Sequence, residues 1–224
     1  IIAMLAVHED ELVVEEKGIY NIENFITSRR LMYWQVYLHK TAVAAERMLV
    51  NVIKRAKALT QAGETVPASD ALQFFLSKSY SIDDFNNNTQ VAENFGKLDD
   101  HDIWGAVKLW QDYPDFILSH LSTALLQRKL FQIRFSNDAI KKETIEKVKQ
   151  VVANQYNLLK VETSYLVSFG SVSNEAYTEG HKINLLMKDG RLIDIAQASD
   201  LPNIQALSKV VKKNYLCWPK NVSL

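Results

Sequence analysis

Between Thr27 and Lys40 the chain reads TSRRLMYWQVYLHK, which sets a guanidinium, two phenols and an ammonium at helical spacing. At about 100° per residue, Arg29, Tyr33, Tyr37 and Lys40 fall within an arc of roughly 80°. A guanidinium offers paired N–H donors that match phosphate oxygens. A phenol stacks on a ring or hydrogen-bonds a sugar hydroxyl. The stripe thus has the chemistry of one wall of a nucleotide pocket, without a catalytic group of its own. The same spacing also fits a long core helix with packed tyrosines and a salt-bridged arginine.

Metal chemistry has a weaker footing. His101-Asp102 is the only His-Asp dipeptide, and it lies in KLDDHDIWGAVKLW. There Asp99 or Asp100 reads as a helix N-cap, and the other acids favour the positive helix end. His8, His39, His120 and His181 show no ligand spacing with it. Cys217 is the single cysteine, so no internal disulfide forms, and a buried or idle thiol is expected rather than a nucleophile.

Elements must hold the stripe in place. The segment Leu12 to Tyr20, LVVEEKGIY, has β-branched residues on either side of Lys17-Gly18 and reads as a small hairpin. A long helix follows from about Ile22 to Leu59, free of Gly and Pro and closed by Gly63 and Pro67. Ser69 or Asp70 caps a short helix through Leu76, and Asp83 to Thr89 is a polar loop or helix start. Helices over Asp99 to Trp110 and Asp115 to Gln127 flank Pro114.

Beyond Phe131 the texture changes. Asp138 caps a helix through Asn154, and Tyr165 to Phe169 reads as a strand. Ile183 to Met187 and Leu192 to Ile195 form a hairpin across Asp189-Gly190. Ser199 to Pro202 looks like a helix start, and Leu207 to Tyr215 continues it or forms an end helix. The expected fold is α+β and mostly helical: a long helix and helical bundle, then a small antiparallel sheet with helices. Two parts are expected, residues 1–135 and 136–224.

Lys plus Arg equals Asp plus Glu, 26 each, so no global charge favours nucleic acid or an anionic membrane. The local basic clusters, Lys141-Lys142 and Lys209 to Lys213, lie in helix-like patterns and read as solvated faces. No apolar run approaches the ~20 residues of a bilayer span, and no secretory signal is visible, which fits a cytoplasmic protein.

The 27–40 run, with Arg29, Tyr33, Tyr37, His39 and Lys40, resembles the helix after the metal site in HD-superfamily deoxynucleotide triphosphohydrolases. These form the dGTPase family that includes the animal sterile-alpha-motif-and-HD dNTP hydrolase. EDELVVEEKGIYNIENF is similar to that family's hairpin leading into this helix, and LSTALLQRKLF to its R-x-L-F segment, here Arg128 to Phe131. The resemblance covers roughly residues 1–135 and points to the C-terminal half of such a protein, from a bacterial branch. It makes residues 1–135 the helical C-terminal part of an HD phosphohydrolase domain and residues 136–224 an α+β subdomain.

The resemblance implies roles residue by residue. Arg29 stands where the family contacts substrate phosphates, and Tyr37 where a tyrosine packs under the deoxyribose and leaves little room for a 2′-hydroxyl. Tyr33 falls where some members place a histidine, and Leu38 where the animal branch has a glutamine near the base. Lys17 and Arg128 match basic positions that bind an activating nucleotide between subunits, whereas Glu15 and Gln132 replace two of that site's other cations. The family's last metal-ligand Asp lies shortly before a segment like IIAMLAV. The divalent metal is therefore expected in an N-terminal half, with no cofactor in this chain, which alone is expected to be inert. A deoxynucleotide substrate for the whole protein and a homo-oligomer, most simply a dimer, are the expected partners. The alternative is a non-catalytic oligomerisation or regulatory module.

Overall fold

The computed structural model describes residues 1–174, 183–201 and 211–222. Mostly helical α+β architecture is what it shows, in two compact units, each assembled from separate stretches of chain.

The first unit comprises Ile1–Ala42, Phe135–Ala139 and Gly170–Tyr215. Strands β1 (Leu5–His8) and β2 (Glu11–Glu15) pair antiparallel with Val7 opposite Leu12. Their turn is Glu9-Asp10, at φ +47° and +66°, the doubly left-handed pattern of a tight hairpin. The expected turn at Lys17-Gly18 is therefore one segment too late. Those residues form a 3-10 turn that leads into helix α1 (Ile19–Met32). Gly18 serves close approach, because a Cβ there would lie 2.6 Å from Val14 Cγ1. Strand β2 also pairs, in parallel, with β5 (Asn184–Leu186), and β5 pairs antiparallel with β6 (Leu192–Asp194), giving the order β1-β2-β5-β6. Gly190 (φ +84°) makes the expected β5–β6 turn. Val14, Ile22, Ile26, Leu185 and Ile195 form the core between α1 and the sheet.

The expected continuous helix from Ile22 to Leu59 is interrupted. After α1, residues Tyr33–Tyr37 wind as a π turn, with the Leu38 N–H donating to the Tyr33 carbonyl at 2.7 Å. Helix α2 (Lys40–Gln61) begins afresh after Leu38-His39.

The second unit comprises Val43–Arg134, Ile140–Phe169 and Leu216–Leu224. Here α2 buries Val43, Ala44, Met48, Val52 and Ala56, one stripe at helical spacing. Helix α3 (Asp70–Ser77) is capped by Ser69, and short helices α4 (Ile82–Asn87) and α5 (Thr89–Lys97) follow. Helix α6 (Asp100–Leu109) starts at an Asp99–Asp102 capping box, and α7 (Phe116–Leu126) starts at Asp115. Asp115 also takes a two-pronged bond from Arg55, at 2.5 and 3.0 Å, tying α2 to the start of α7. Burial pulls the Asp115 carboxyl upward, but the bonds from Arg55 and the Leu118 N–H outweigh it and hold the group below the usual range.

Further expectations are corrected. Helix α8 (Lys142–Tyr156) begins after Lys141 without a side-chain cap, so Asp138 is not its N-cap. Glu162–Tyr165 forms a 3-10 turn, and strand β4 (Ser168–Asn174) starts only at Ser168. Val211–Trp218 is strand β7, the middle of a β3-β7-β4 sheet with β3 at Gln132–Ser136; the expected helix over Leu207 to Tyr215 fails there, and Leu207 to Val210 lie outside the described residues. The run Tyr215 to Trp218 is buried without alternation, so the two-residue period that marks a strand is missing. The cluster Lys209 to Lys213 is accordingly strand from Val211 onward. Ser199 to Leu201 are not helical, and Pro202 lies outside the described residues.

Candidate functional site

The stripe on α1 and the π turn after it lines an open depression of about 430 Å³ in the first unit, with Phe25, Ser28, Arg29, Met32, Tyr33 and Tyr37 around it. The Arg29 guanidinium lies 5.7 Å from the centre of the Tyr33 ring, and the Tyr33 and Tyr37 rings are 5.2 Å apart at 45°. The π turn produces this row. In α geometry Tyr33 advances about 40° beyond Arg29; an i→i+5 winding turns each residue less, about 80°, so Tyr37 falls back by a similar angle. Arg29 and Tyr37 thereby share nearly one azimuth, closer than continuous helix allows. Single π turns recur at functional sites in helices.

Tyr37 is 56% exposed, and Phe25 and Met32 are 45% and 43% exposed, so this wall faces water. Among the described residues Arg29 has no carboxylate partner, which removes the salt-bridged alternative. The helix break at Leu38-His39 leaves Lys40 outside the residues lining the depression. Phe25, Ser28 and Met32 were not singled out in the sequence. With Arg29 and Tyr33 they make an i, i+3, i+4, i+7, i+8 face, which is the signal that finds them.

A second depression, of about 580 Å³, lies in the second unit, with His120, Arg128, Lys129, Phe131, Lys220 and Asn221 on its walls. Arg128 is left-handed (φ +56°) just past the end of α7. Its N–H donates to Leu125 O and the Lys129 N–H donates to Ala124 O, the paired bonds that end many helices and usually place glycine at this position. Among the described residues Arg128, Lys129 and Lys220 carry no ion pair, so the lining is cationic. His120 stacks on Phe116 at 5.3 Å and meets Tyr156 at 5.3 Å, and burial pushes its pKa down. Lys17, in the first unit, is paired with Glu15 at 2.5 Å.

His101-Asp102 has another use. The Asp102 carboxylate accepts from the Asp99 N–H at 2.8 Å, and bonds from Ser69 and Asp99 hold it below the usual carboxyl range. The His101 side chain is 97% exposed beside Asp99. Among the described residues no three His, Cys, Asp or Glu side chains are grouped to hold a metal ion. No helix among them is long and apolar enough to cross a membrane. The Cys217 thiol is buried, and burial pushes its pKa up to about 12.

Comparison with known proteins follows the same lines. The family model described as "HD associated region" matches residues 1–74, a stretch that includes the hairpin, α1 and the π turn. The chain is similar to the crystal structure of a phosphohydrolase from Bacteroides thetaiotaomicron VPI-5482, at 46% identity and a TM-score of 0.88, over 97% of this chain and 54% of that one. An uncharacterised protein of Bacillus subtilis (strain 168), YwfO, is 27% identical over 99% of this chain and 50% of its own length. A hypothetical protein from Aquifex aeolicus shares the fold, with a TM-score of 0.57 and 21% identity over 98% of this chain and 47% of that one. The chain thus spans about half the length of these relatives. Together the matches support an association with the HD superfamily.

Proposed function

We propose that this chain supplies a substrate-pocket wall and an oligomer scaffold to an HD-superfamily phosphohydrolase that converts a deoxynucleoside triphosphate and water into deoxynucleoside and triphosphate. One observation carries the reading: a guanidinium without a carboxylate partner stands in line with two phenols on an open depression. Arg29 binds the phosphate oxygens by charge-assisted bonds and stabilises the charge that accumulates on the departing triphosphate. Tyr37 lies flat against the deoxyribose and crowds the space a 2′-hydroxyl would need, and Tyr33 supports Arg29 from beneath.

A divalent metal does not fit the described residues of this chain, and its ligands are expected from residues outside it. The cationic depression around Arg128 is the position we assign to an activating nucleotide, supported by an arginine held where glycine costs less. The Lys17–Glu15 pair weakens any part for Lys17 in it, since a carboxylate repels a triphosphate.

In the full-length protein, Arg29→Ala should lower kcat/KM by about 2–4 kcal/mol of transition-state stabilisation, the scale for a lost contact to a developing anion. Tyr37→Ala should narrow the preference for deoxy- over ribonucleotides. Steady-state kinetics with matched dNTP and rNTP pairs measures both, and unchanged values in the two variants would remove the pocket-wall reading.

A further inference from the structure

The π turn that aligns the site needs something to hold it. An i→i+5 turn is less favourable than the α winding it replaces, and it persists where tertiary contacts select it. The sequence Tyr33–Tyr37 contains no Gly or Pro that forces a break. Its cause therefore lies elsewhere in the fold.

Trp34 in this turn has a cation–π contact from a distant part of the chain. The Lys213 Nζ stands 4.5 Å from the centre of its ring. Indole is the best aromatic partner for a cation, and among the described residues Lys213 has no carboxylate to draw it away. The backbone that carries Lys213 is itself held. Asn214 Nδ2 donates to the Asn137 carbonyl at 3.4 Å, and Tyr215 packs where Gly170 lacks a Cβ, since a Cβ there would lie 3.1 Å from the Tyr215 hydroxyl oxygen. An ammonium fixed from strand β7 thus rests on the ring that follows Tyr33.

We propose that Lys213 is a positioning residue for the Arg29–Tyr33–Tyr37 wall: seated on Trp34, it selects the π winding that brings Tyr37 against Tyr33. Without that contact the segment relaxes toward α winding. Tyr37 then swings from about 40° behind Tyr33 to about 40° ahead of it, and the row opens. The catalytic consequence rests on the pocket-wall reading above, whereas the winding itself does not.

The test uses full-length protein carrying fluorotyrosine, with the resonances of residues 33 and 37 assigned by Tyr→Phe replacement. Lys213→Met should move both fluorine signals toward the free fluorotyrosine value and raise KM for the dNTP about fivefold, the ratio set by a lost cation–π contact. Neither kcat nor Tm should change appreciably. Lys213→Arg, which keeps a cation on the ring, should restore signals and KM together. Unmoved fluorine signals in folded Lys213→Met would overturn the proposal, as would a change that Arg fails to rescue and that comes with a lowered Tm. Should Lys213→Met not fold, Trp34→Phe decides: its weaker ring should give a partial shift in the same direction, and no shift sinks the idea. Arg29→Ala, run alongside, separates the two readings. If it leaves kinetics intact the pocket wall fails, while the fluorine signals still judge the Lys213 contact.

Discussion

His120 shows how one side chain ties local packing to pH. Its imidazole lies between Phe116 and Tyr156, and burial lowers its pKa in the folded protein. The unfolded chain titrates near ~6.5, so between that pH and the lower folded value it holds a proton that the folded protein does not. Stability therefore rises with pH across this window: it is complete above about 6.5 and falls away as the pH drops below that. His120→Gln should flatten this part of the profile in urea melts at a series of pH values. An unchanged slope in the variant would assign it to other groups. The Arg29–Tyr33–Tyr37 row was legible in the sequence because its spacing is local. Lys40 was drawn into the same stripe by assuming continuous α geometry, and the break at Leu38-His39 takes it away from the depression.

At the scale of the element, the caps at Ser69 and Asp99 were legible, whereas Asp138 and the windings were not. Ser69 and Asp99 are N-caps, as is Asp115, which reads in the sequence only as a helix start, because a short acceptor next to an apolar-periodic run satisfies free N–H groups with no help from elsewhere. The first hairpin was misplaced because Lys17-Gly18 looks like turn chemistry, while the true turn uses Glu9 and Asp10 in left-handed conformations without glycine. Arg128 raises the same question at a helix end. Glycine there should be less strained, so Arg128→Gly should stabilise the fold by about 0.5–1 kcal/mol while removing one cation from the depression. Chemical denaturation measures the first effect and nucleotide titration of the full-length protein the second. A destabilised variant would mean that the arginine serves the fold itself.

Across the whole molecule, the hairpin β1–β2 places strand β1 at a sheet edge with apolar side chains in water. Val7 and Leu12 face each other across the ladder, 74% and 68% exposed, and Ile2 is 86% exposed. An apolar edge of this kind is a pairing surface. Self-association, most simply as a twofold dimer, is the expected outcome. Light scattering over a concentration series should show a mass above the monomer. Val7→Lys with Leu12→Glu should lower it; a monomer at high micromolar protein would count against the scaffold role.

The amino-acid sequence alone determined the helical content, most of the caps, the β5–β6 hairpin and the helical spacing that puts Arg29, Tyr33 and Tyr37 on one side of the chain. All of these follow from interactions within a few residues: capping bonds, turn dihedrals and the periodicity of apolar side chains. Tertiary structure alone decided the π winding at Tyr33–Tyr37, the parallel pairing of β2 with β5, and the strand at Val211–Trp218. Each of these depends on partners far away in the chain. Lys213 reaches Trp34, Leu185 pairs with Val14, and β7 lies between β3 and β4, where burial erases the alternation that would have marked it. Local propensities differ by less than about 1 kcal/mol per residue, so contacts of this range override them.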